Sequence, residues 1–486
     1  MKLLAISLAA CAVLAPLSFA ADVSVEAPKP ATVESSKNWT FDGDLRWRLE
    51  QYNGYNAKSY GDASNPAKST GGADTTKTIG ESDDTVLMQR VIAGFTYKPT
   101  SDVTLRAHMQ DSRAFGWSLR NSQYPTAFVE GSGEYVMNPS EEFTEITDAN
   151  VEIHNLAGVK GLSTIVGRQS IAYGDKRIFG PGDWGNTGRW RWDAVKVGYK
   201  WDDNFIDVFG GATKTHDPDH LSFAPFEYEF KGLGMYSHFT TTKTGAIEPF
   251  YARKMSTSDQ YSGMKVGTVT PKGDLDEYWY GARIYDDNVF NFFYDATYTK
   301  EGGRYVNTDV DAYGYTLTGG YHAKTLPWKP KFGIGYLYAS GEKPKTGSTS
   351  GLSDGVQSKF EPAFGANDWN HGWMNIASWN NIVDKEVRLT LTPSESTKLL
   401  LEYHWYDLAE AFQGMTAVGN YKNKTGNTYD ELGQEFNIEG RYQYSKDLSF
   451  NAWIGYFRAG EFITGNDIAQ NDATWVGLQA VYKFKL

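Results

Sequence analysis

The sequence predicts an all-β fold, a transmembrane antiparallel β-barrel of about 18 strands with short periplasmic turns and long extracellular loops. Three observations support this prediction. Apolar and polar residues alternate along most of the chain, short and long connections alternate between these stretches, and the chain begins with an export signal. Trp, Tyr and Phe make up 15% of the residues and glycine contributes 50, a composition typical of strands, tight turns and aromatic girdles at membrane interfaces.

The amino-terminal segment, residues 1–20, has the pattern of a secretory signal peptide. A positive charge precedes a mostly apolar run, which ends in a small-x-small cleavage site at Ala20. Cleavage would remove Cys11, the sole cysteine, so the mature chain could form neither a disulfide nor a cysteine-based metal site. Residues 21–37 are rich in Ala, Pro and Glu and show no periodicity, which predicts a periplasmic tail.

The remaining segment, residues 38–486, has the period-two pattern of barrel strands. Apolar residues alternate with polar or charged ones in 39–50, 103–110, 399–406 and 476–486. In a strand, this alternation would place one set against lipid and the other set in water. The last of these stretches runs to the end of the sequence, so it can pair with the first strand and close the barrel.

Eight short and nine long connections alternate along the chain, which predicts eighteen strands with both termini in the periplasm. The predicted periplasmic turns lie at 98–102, 156–161, 201–204, 241–245, 286–288, 324–330, 392–397 and 444–447. The predicted extracellular loops lie near 55–83, 112–145, 170–188, 214–229, 256–275, 300–310, 343–383, 408–430 and 460–473.

Tryptophan residues mark two local features of these segments. Trp190 and Trp192 are out of phase with Val195 and Val197, which predicts a β-bulge near Asp193. The longest loop, 343–383, contains Trp369, Trp373 and Trp379, which suit stacking on sugar rings. It could fold into the barrel mouth as a constriction or cover neighbouring loops as a lid, and the lid is the favoured interpretation.

Other function classes lack support in the sequence. The 59 acidic residues exceed the 47 basic ones, giving a net charge of −12, so a basic nucleic-acid-binding surface is not expected. The chain lacks a phosphate-binding loop and a His-Glu-x-x-His motif, and no enzyme activity and no cofactor are predicted. The segment from His216 to His220 holds two His and two Asp, but Pro218 prevents a regular helix from presenting both rings. No metal site is therefore predicted.

Inward-facing side chains would determine what passes through such a barrel. The phase of the alternation predicts a set of pore-lining residues: Arg46, Arg48, Arg90, Arg106, His108, Arg168, Arg283, Arg388, Glu402, His404, Glu435 and Arg441. Two interpretations stay open. The arginines could attract a carboxylate-bearing solute while acidic residues hold them extended, or opposite charges on adjacent strands could pair and only stabilise a wet interior.

Several segments resemble the alginate-export family of outer-membrane barrels. They occur in the expected order, and they are Gly167-Arg168-Gln169, GIGYLYASG at 333–341, LGQEFNI at 432–438 and GYFRAG at 455–460. The resemblance implies an eighteen-stranded export pore. The sequence departs from the characterised exporter of that family in two ways. The connection at 444–447 is short where the exporter has a long periplasmic plug, and the predicted lumen has mixed charge where the exporter is lined densely with arginine.

The predicted function is therefore a passive channel in the outer membrane of a Gram-negative cell. It would pass hydrophilic solutes, with anionic solutes or a polysaccharide as candidates. The expected partners are outer-membrane lipid, the barrel-assembly machinery and the solute itself, with no nucleic acid. The alternative from another class is a surface-exposed binding or adhesion barrel whose loops close the lumen.

Overall fold

The computed structural model describes residues 38–54, 84–115, 142–188, 190–214, 229–262, 271–343, 355–365, 371–411, 423–424, 426–466 and 472–486. The expected signal peptide and periplasmic tail, residues 1–37, lie outside this part of the chain, and so does the segment from His216 to His220. No helix within the described ranges is long and apolar enough to cross a membrane.

Eighteen strands form the wall of a closed antiparallel barrel, and one two-residue strand, β14, lies in a loop. The strands are β1 (Trp39–Asn53), β2 (Asp84–Tyr97), β3 (Val103–Phe115), β4 (Glu142–His154), β5 (Leu162–Ser170), β6 (Arg191–Trp201), β7 (Asn204–Thr213), β8 (Lys231–Thr240), β9 (Gly245–Ser262), β10 (Lys272–Val289), β11 (Phe292–Tyr305), β12 (Thr308–His322), β13 (Lys331–Ala339), β14 (Val356–Gln357), β15 (Ile382–Ser394), β16 (Thr397–Leu408), β17 (Glu431–Gln443), β18 (Leu448–Ala459) and β19 (Ala473–Lys485). A single-turn helix, α1 (Glu461–Thr464), follows β18.

The first and last strands close the barrel, as the sequence predicts. β1 pairs with β19 from Asp42 opposite Lys485 to Asn53 opposite Thr474, and β1 pairs with β2 on its other edge. Each wall strand therefore has a neighbour on both sides. This closure satisfies the backbone hydrogen-bonding groups that an open sheet would leave exposed to lipid.

Side-chain exposure alternates along the wall strands in the predicted phase. On β12, Leu317 is 51% exposed while the preceding Thr316 is 3% exposed. The outward set includes aromatic residues near both strand ends, such as Trp39, Phe332 and Tyr456. The outer surface is thus an apolar belt with aromatic rims, as expected for a barrel in lipid.

All eight predicted periplasmic turns are present, although the one expected at 286–288 lies at Phe290 and Asn291. The long loop predicted at 300–310 is wrong. Strands β11 and β12 continue through that segment and meet in a tight hairpin at 306–307. The glycines and charged residues of this segment are typical of a loop. Gly302, however, pairs opposite Tyr278 of β10, and it must be glycine because a Cβ there would collide with the tyrosine ring.

The bulge predicted near Asp193 is also wrong. Pairing of β6 with both neighbouring strands continues without a register shift through this residue. Trp192 faces the interior and is fully buried, whereas Val195 faces outward and is 50% exposed, so the alternation is regular. The error arose because tryptophan was assigned to the lipid face, while this one packs inside the barrel against Phe209 and Phe364.

Candidate functional site: the lumen and two inserted loops

The described parts of two loops, residues 171–188 and 190 of one and residues 340–343, 355–365 and 371–381 of the other, fold into the barrel and contact inward-facing side chains of the wall. We call them the β5–β6 loop (residues 171–190) and the β13–β15 loop (residues 340–381). The β5–β6 loop is held by two arginines of β1. Arg46 donates hydrogen bonds to the carbonyls of Asp183 (2.9 Å) and Gly185 (2.8 Å), and Arg48 donates to the carbonyl of Trp184 (2.8 Å).

Further contacts fix the same loop against β1 and β3. The guanidinium of Arg48 lies 4.4 Å from the centre of the Trp184 ring. Gln110 donates to the carbonyl of Thr187 (2.6 Å), and the Ser112 hydroxyl donates to that of Asn186 (2.8 Å). Hydrogen bonds from charged donors contribute about 1.5–3 kcal/mol each, so the arginine contacts are a main component of this anchorage.

An aromatic side chain attaches the β5–β6 loop to β7 and β8. Tyr173 stacks on Tyr236 of β8 with ring centres 4.6 Å apart, and its hydroxyl donates to Asp207 of β7 (2.6 Å). Burial, together with the neighbouring Asp207 carboxylate, raises the pKa of Tyr173 above its usual value. Tyr173 therefore stays protonated and keeps its donor role.

The β13–β15 loop is anchored to β9, β10 and β11. The Trp279 indole donates to the carbonyl of Glu361 (2.8 Å), and the amide of Glu361 donates to Glu301 (2.8 Å). Lys254 donates to the carbonyl of Pro362 (3.3 Å). Its ammonium lies 5.0–5.3 Å from four ring centres, those of Trp190, Phe230, Trp279 and Phe364, a cation–π environment that compensates for its burial.

The same loop also reaches β16 and β17. The Met374 amide donates to Glu435 (3.0 Å), and the Tyr406 hydroxyl donates to the carbonyl of His371 (2.8 Å). Between these contacts lies Gly372, whose φ is +85°. A Cβ at this position would collide with Glu435 and Tyr406. Position 372 therefore requires glycine, both for its backbone conformation and because there is no space for a side chain.

The two loops meet inside the barrel. The Gly180 amide donates to the carbonyl of Phe364 (3.1 Å), and the Phe364 amide donates to that of Ile178 (3.0 Å). The rings of Trp184 and Trp373 lie 5.2 Å apart. The described part of the β13–β15 loop is therefore a constriction within the lumen, not the lid that the sequence analysis favoured.

The predicted pore-lining arginines lie on the inner face of the wall. Arg46 contacts loop carbonyls as described above, and the other seven form ion pairs with carboxylates. These pairs are Arg48 with Glu50, Arg90 with Asp44, Arg106 with Glu152, Arg168 with Glu145 and Asp193, Arg283 with Glu248 and Asp295, Arg388 with Glu386 and Glu402, and Arg441 with Glu439. Most of this positive charge is thus compensated within the wall, and the Arg168 side chain is 0% exposed.

The remaining predicted residues also face inward. His108 lies 2.8 Å from Asp42 on the periplasmic half of the wall. Glu402 pairs with Arg388 (3.0 Å), and Glu435 holds the loop amide of Met374. His404 belongs to a buried group that sequence reasoning only partly identified.

We call this group the Asp384 cluster: Asp384 and Glu386 of β15, His404 of β16 and His371 of the β13–β15 loop. The Asp384 carboxylate accepts from Nδ1 of His404 (3.0 Å) through Oδ1 and from Nδ1 of His371 (2.9 Å) through Oδ2. Glu386 Oε2 lies 3.7 Å from the same His404 nitrogen. Asp384, which the sequence analysis did not identify, lies two residues from Glu386 on β15 and shares its inner face. Nothing in the sequence indicated that His371 reaches them from the loop.

The comparisons with known proteins agree with this architecture. A family model described as Alginate export matches residues 66–477. The chain belongs to the alginate export family. No curated protein matches the sequence significantly.

Solved structures share the barrel fold with this alginate-export-family chain at low sequence identity. OccAB4 of Acinetobacter baumannii is 11% identical with a TM-score of 0.56, covering 93% of this chain and 99% of that one. OccK11 (OpdR) of Pseudomonas aeruginosa is 10% identical with a TM-score of 0.53, covering 92% and 96%. Pseudomonas aeruginosa OpdK, solved with vanillate, is 10% identical with a TM-score of 0.53, covering 92% and 99%. The protein is an outer-membrane channel for solute passage.

Proposed function

We propose that this channel is selective for small hydrophilic solutes and that the two inserted loops set its size limit. The observation that carries this proposal is the junction of the loops inside the barrel, where Phe364 exchanges backbone hydrogen bonds with Ile178 and Gly180. One loop is anchored to β1, β3, β7 and β8, and the other to β9, β10, β11, β16 and β17. Joined loops that reach opposite parts of the wall leave a much narrower passage than an empty eighteen-stranded cylinder would.

The charges of the interior argue against a continuous track for a polyanion. Among the described residues, buried carboxylates outnumber buried arginine and lysine side chains. The inward arginines are paired with carboxylates or bound to loop carbonyls. Selectivity therefore comes mainly from the shape of the constriction, and the excess of carboxylates gives no preference for anions.

We infer no catalytic role for the chain. The barrel-assembly machinery would insert it, and its apolar outer belt would contact outer-membrane lipid. These assignments rest on the closed barrel and the exposed aromatic rims of the wall.

Planar-bilayer recording tests the proposal. The wild-type channel should show small single-channel currents, and Trp373→Ala should enlarge them because it removes a ring packed at 5.2 Å against Trp184 where the loops meet. Trp405→Ala is the matched control, since Trp405 is exposed on the lipid face. Equal currents in wild type and Trp373→Ala would contradict the proposed constriction.

Two further results would distinguish this proposal from polyuronate transport and from a binding or adhesion barrel. Block of the current by uronate oligomers at low concentration would favour polyuronate transport over small-solute passage. No current in either protein would favour the binding or adhesion barrel, for which the two loops inside the lumen are the supporting observation. Absence of liposome swelling with a small sugar would confirm that result, because a closed lumen admits no solute.

A further inference from the structure

We propose that Asp384, Glu386 and His404 bind a divalent transition-metal ion of the zinc class. Their side chains are buried, and each offers one ligand atom to a group whose members all lie within 4.8 Å of one another. The two carboxylates sit at alternate positions of β15 and so share its inner face. His404 lies directly opposite Glu386 on β16. The sequence analysis predicted no metal site, so this proposal differs from that prediction.

The separations match a tetrahedral donor set. Nitrogen and oxygen ligands at about 2.0–2.2 Å from zinc lie roughly 3.3–3.6 Å from each other in a tetrahedron. His404 Nδ1 lies 3.0 Å from Asp384 Oδ1 and 3.7 Å from Glu386 Oε2. Small side-chain shifts would bring all three atoms to a common ion. Three protein ligands leave the fourth position for water.

The local charge provides a second, independent argument for a cation. Four buried carboxylates surround this point of the wall: Asp384, Glu386, Glu402 and Glu435. Among the described residues, Arg388 pairs with two of them, Glu386 (2.7 Å) and Glu402 (3.0 Å). Arg177 of the other loop is paired with Asp175 (2.7 Å). The four carboxylates outnumber these two arginines, and an uncompensated buried charge is strongly unfavourable.

Both histidines direct Nδ1 towards Asp384, and in each the buried Nε2 has no hydrogen-bond partner among the described residues. His404 would coordinate the ion through Nδ1 as a neutral ring.

His371 would act as a positioning residue and not as a ligand. Its Nδ1 donates to Asp384 Oδ2, which leaves Oδ1 directed towards His404. Hydrogen bonds of this kind orient ligating carboxylates in metal sites, and their loss typically weakens binding about 10–100-fold. Because His371 belongs to the β13–β15 loop, the ion would also tie the constriction to the wall.

The test uses the folded barrel in detergent, purified without a histidine tag. Titration with Zn²⁺ followed by elemental analysis, and with Co²⁺ followed by visible absorption, should give one ion per chain with a tetrahedral cobalt spectrum. His404→Gln and Asp384→Asn should abolish this binding. His371→Gln should keep the cobalt bands but weaken affinity about 10–100-fold. His154→Gln is the matched control, since His154 lies 3.5 Å from Glu152 on the wall but is 42% exposed.

Three results would overturn the proposal. The first is a wild-type protein that binds no stoichiometric ion. The second is equal binding by the His404→Gln and His154→Gln variants. The third is a loss of binding when His216 and His220 are replaced while His404 is kept. Heat-modifiable mobility on gels checks that each variant folds. If His404→Gln fails to fold, Glu386→Gln and the wild-type cobalt spectrum still decide the question.

Discussion

A charge placed on the lipid face of β12 gives the sharpest test of the inside–outside assignment. Leu317 lies five residues from His322, the periplasmic end of this strand, and is 51% exposed on the outer surface. At about 3.3 Å per residue and a tilt near 40°, it lies about 12 Å from that end, the middle of an apolar band about 25 Å tall. Leu317→Arg should therefore destabilise the barrel by about 2–4 kcal/mol, or about 30- to 900-fold in the folding equilibrium constant.

The adjacent Thr318 provides the matched control, because it faces the interior at nearly the same depth. It pairs opposite Asp295, so an arginine there lies in a polar environment beside a carboxylate that it would share with Arg283. Both variants would be measured by denaturant unfolding in lipid vesicles, followed by tryptophan fluorescence and by heat-modifiable gel mobility. If Leu317→Arg were tolerated as well as Thr318→Arg, the assignment of the two faces of β12 would be wrong.

Two further predictions concern the interior. Arg168→Met leaves Glu145 and Asp193 without their shared cation and should cost about 3–5 kcal/mol in unfolding free energy, whereas Arg441→Met, whose side chain is 52% exposed, should cost about 1 kcal/mol or less. Equal losses would mean that burial does not govern these pairs. Gly372→Ala should unseat the β13–β15 loop and raise single-channel conductance with little change in barrel stability, because only the loop contacts are lost. Unchanged conductance would show that the loop accommodates a Cβ.

The barrel itself was predictable because its rule is local. A strand crossing a membrane must alternate between lipid and water at every residue, so the phase, the strand number and the periplasmic turns follow from side-chain polarity alone. This polarity rule failed where a segment did not lie between lipid and water. The glycines and charges at 300–305 signalled a loop, but neighbouring strands extend the wall there. Trp192 was assigned to lipid because nothing local indicated an apolar surface inside the barrel.

The interior depended on contacts between residues distant in the chain. The sequence identified the inward arginines but left open whether they face a solute or pair with carboxylates, since partners such as Arg168 and Glu145 come from different strands with specific registers. The sequence also did not predict that two loops fold into the lumen, because the apolar residues of these loops could equally well pack on other loops outside it.

The sequence by itself therefore determined that this chain forms a closed barrel with a wet interior, because membrane polarity acts on each residue separately. Only the tertiary structure decided what fills that interior. The junction of the two loops and the meeting of His371 with Asp384 and His404 depend on packing in three dimensions, where the free energy of a side chain is set by neighbours that the linear sequence does not specify.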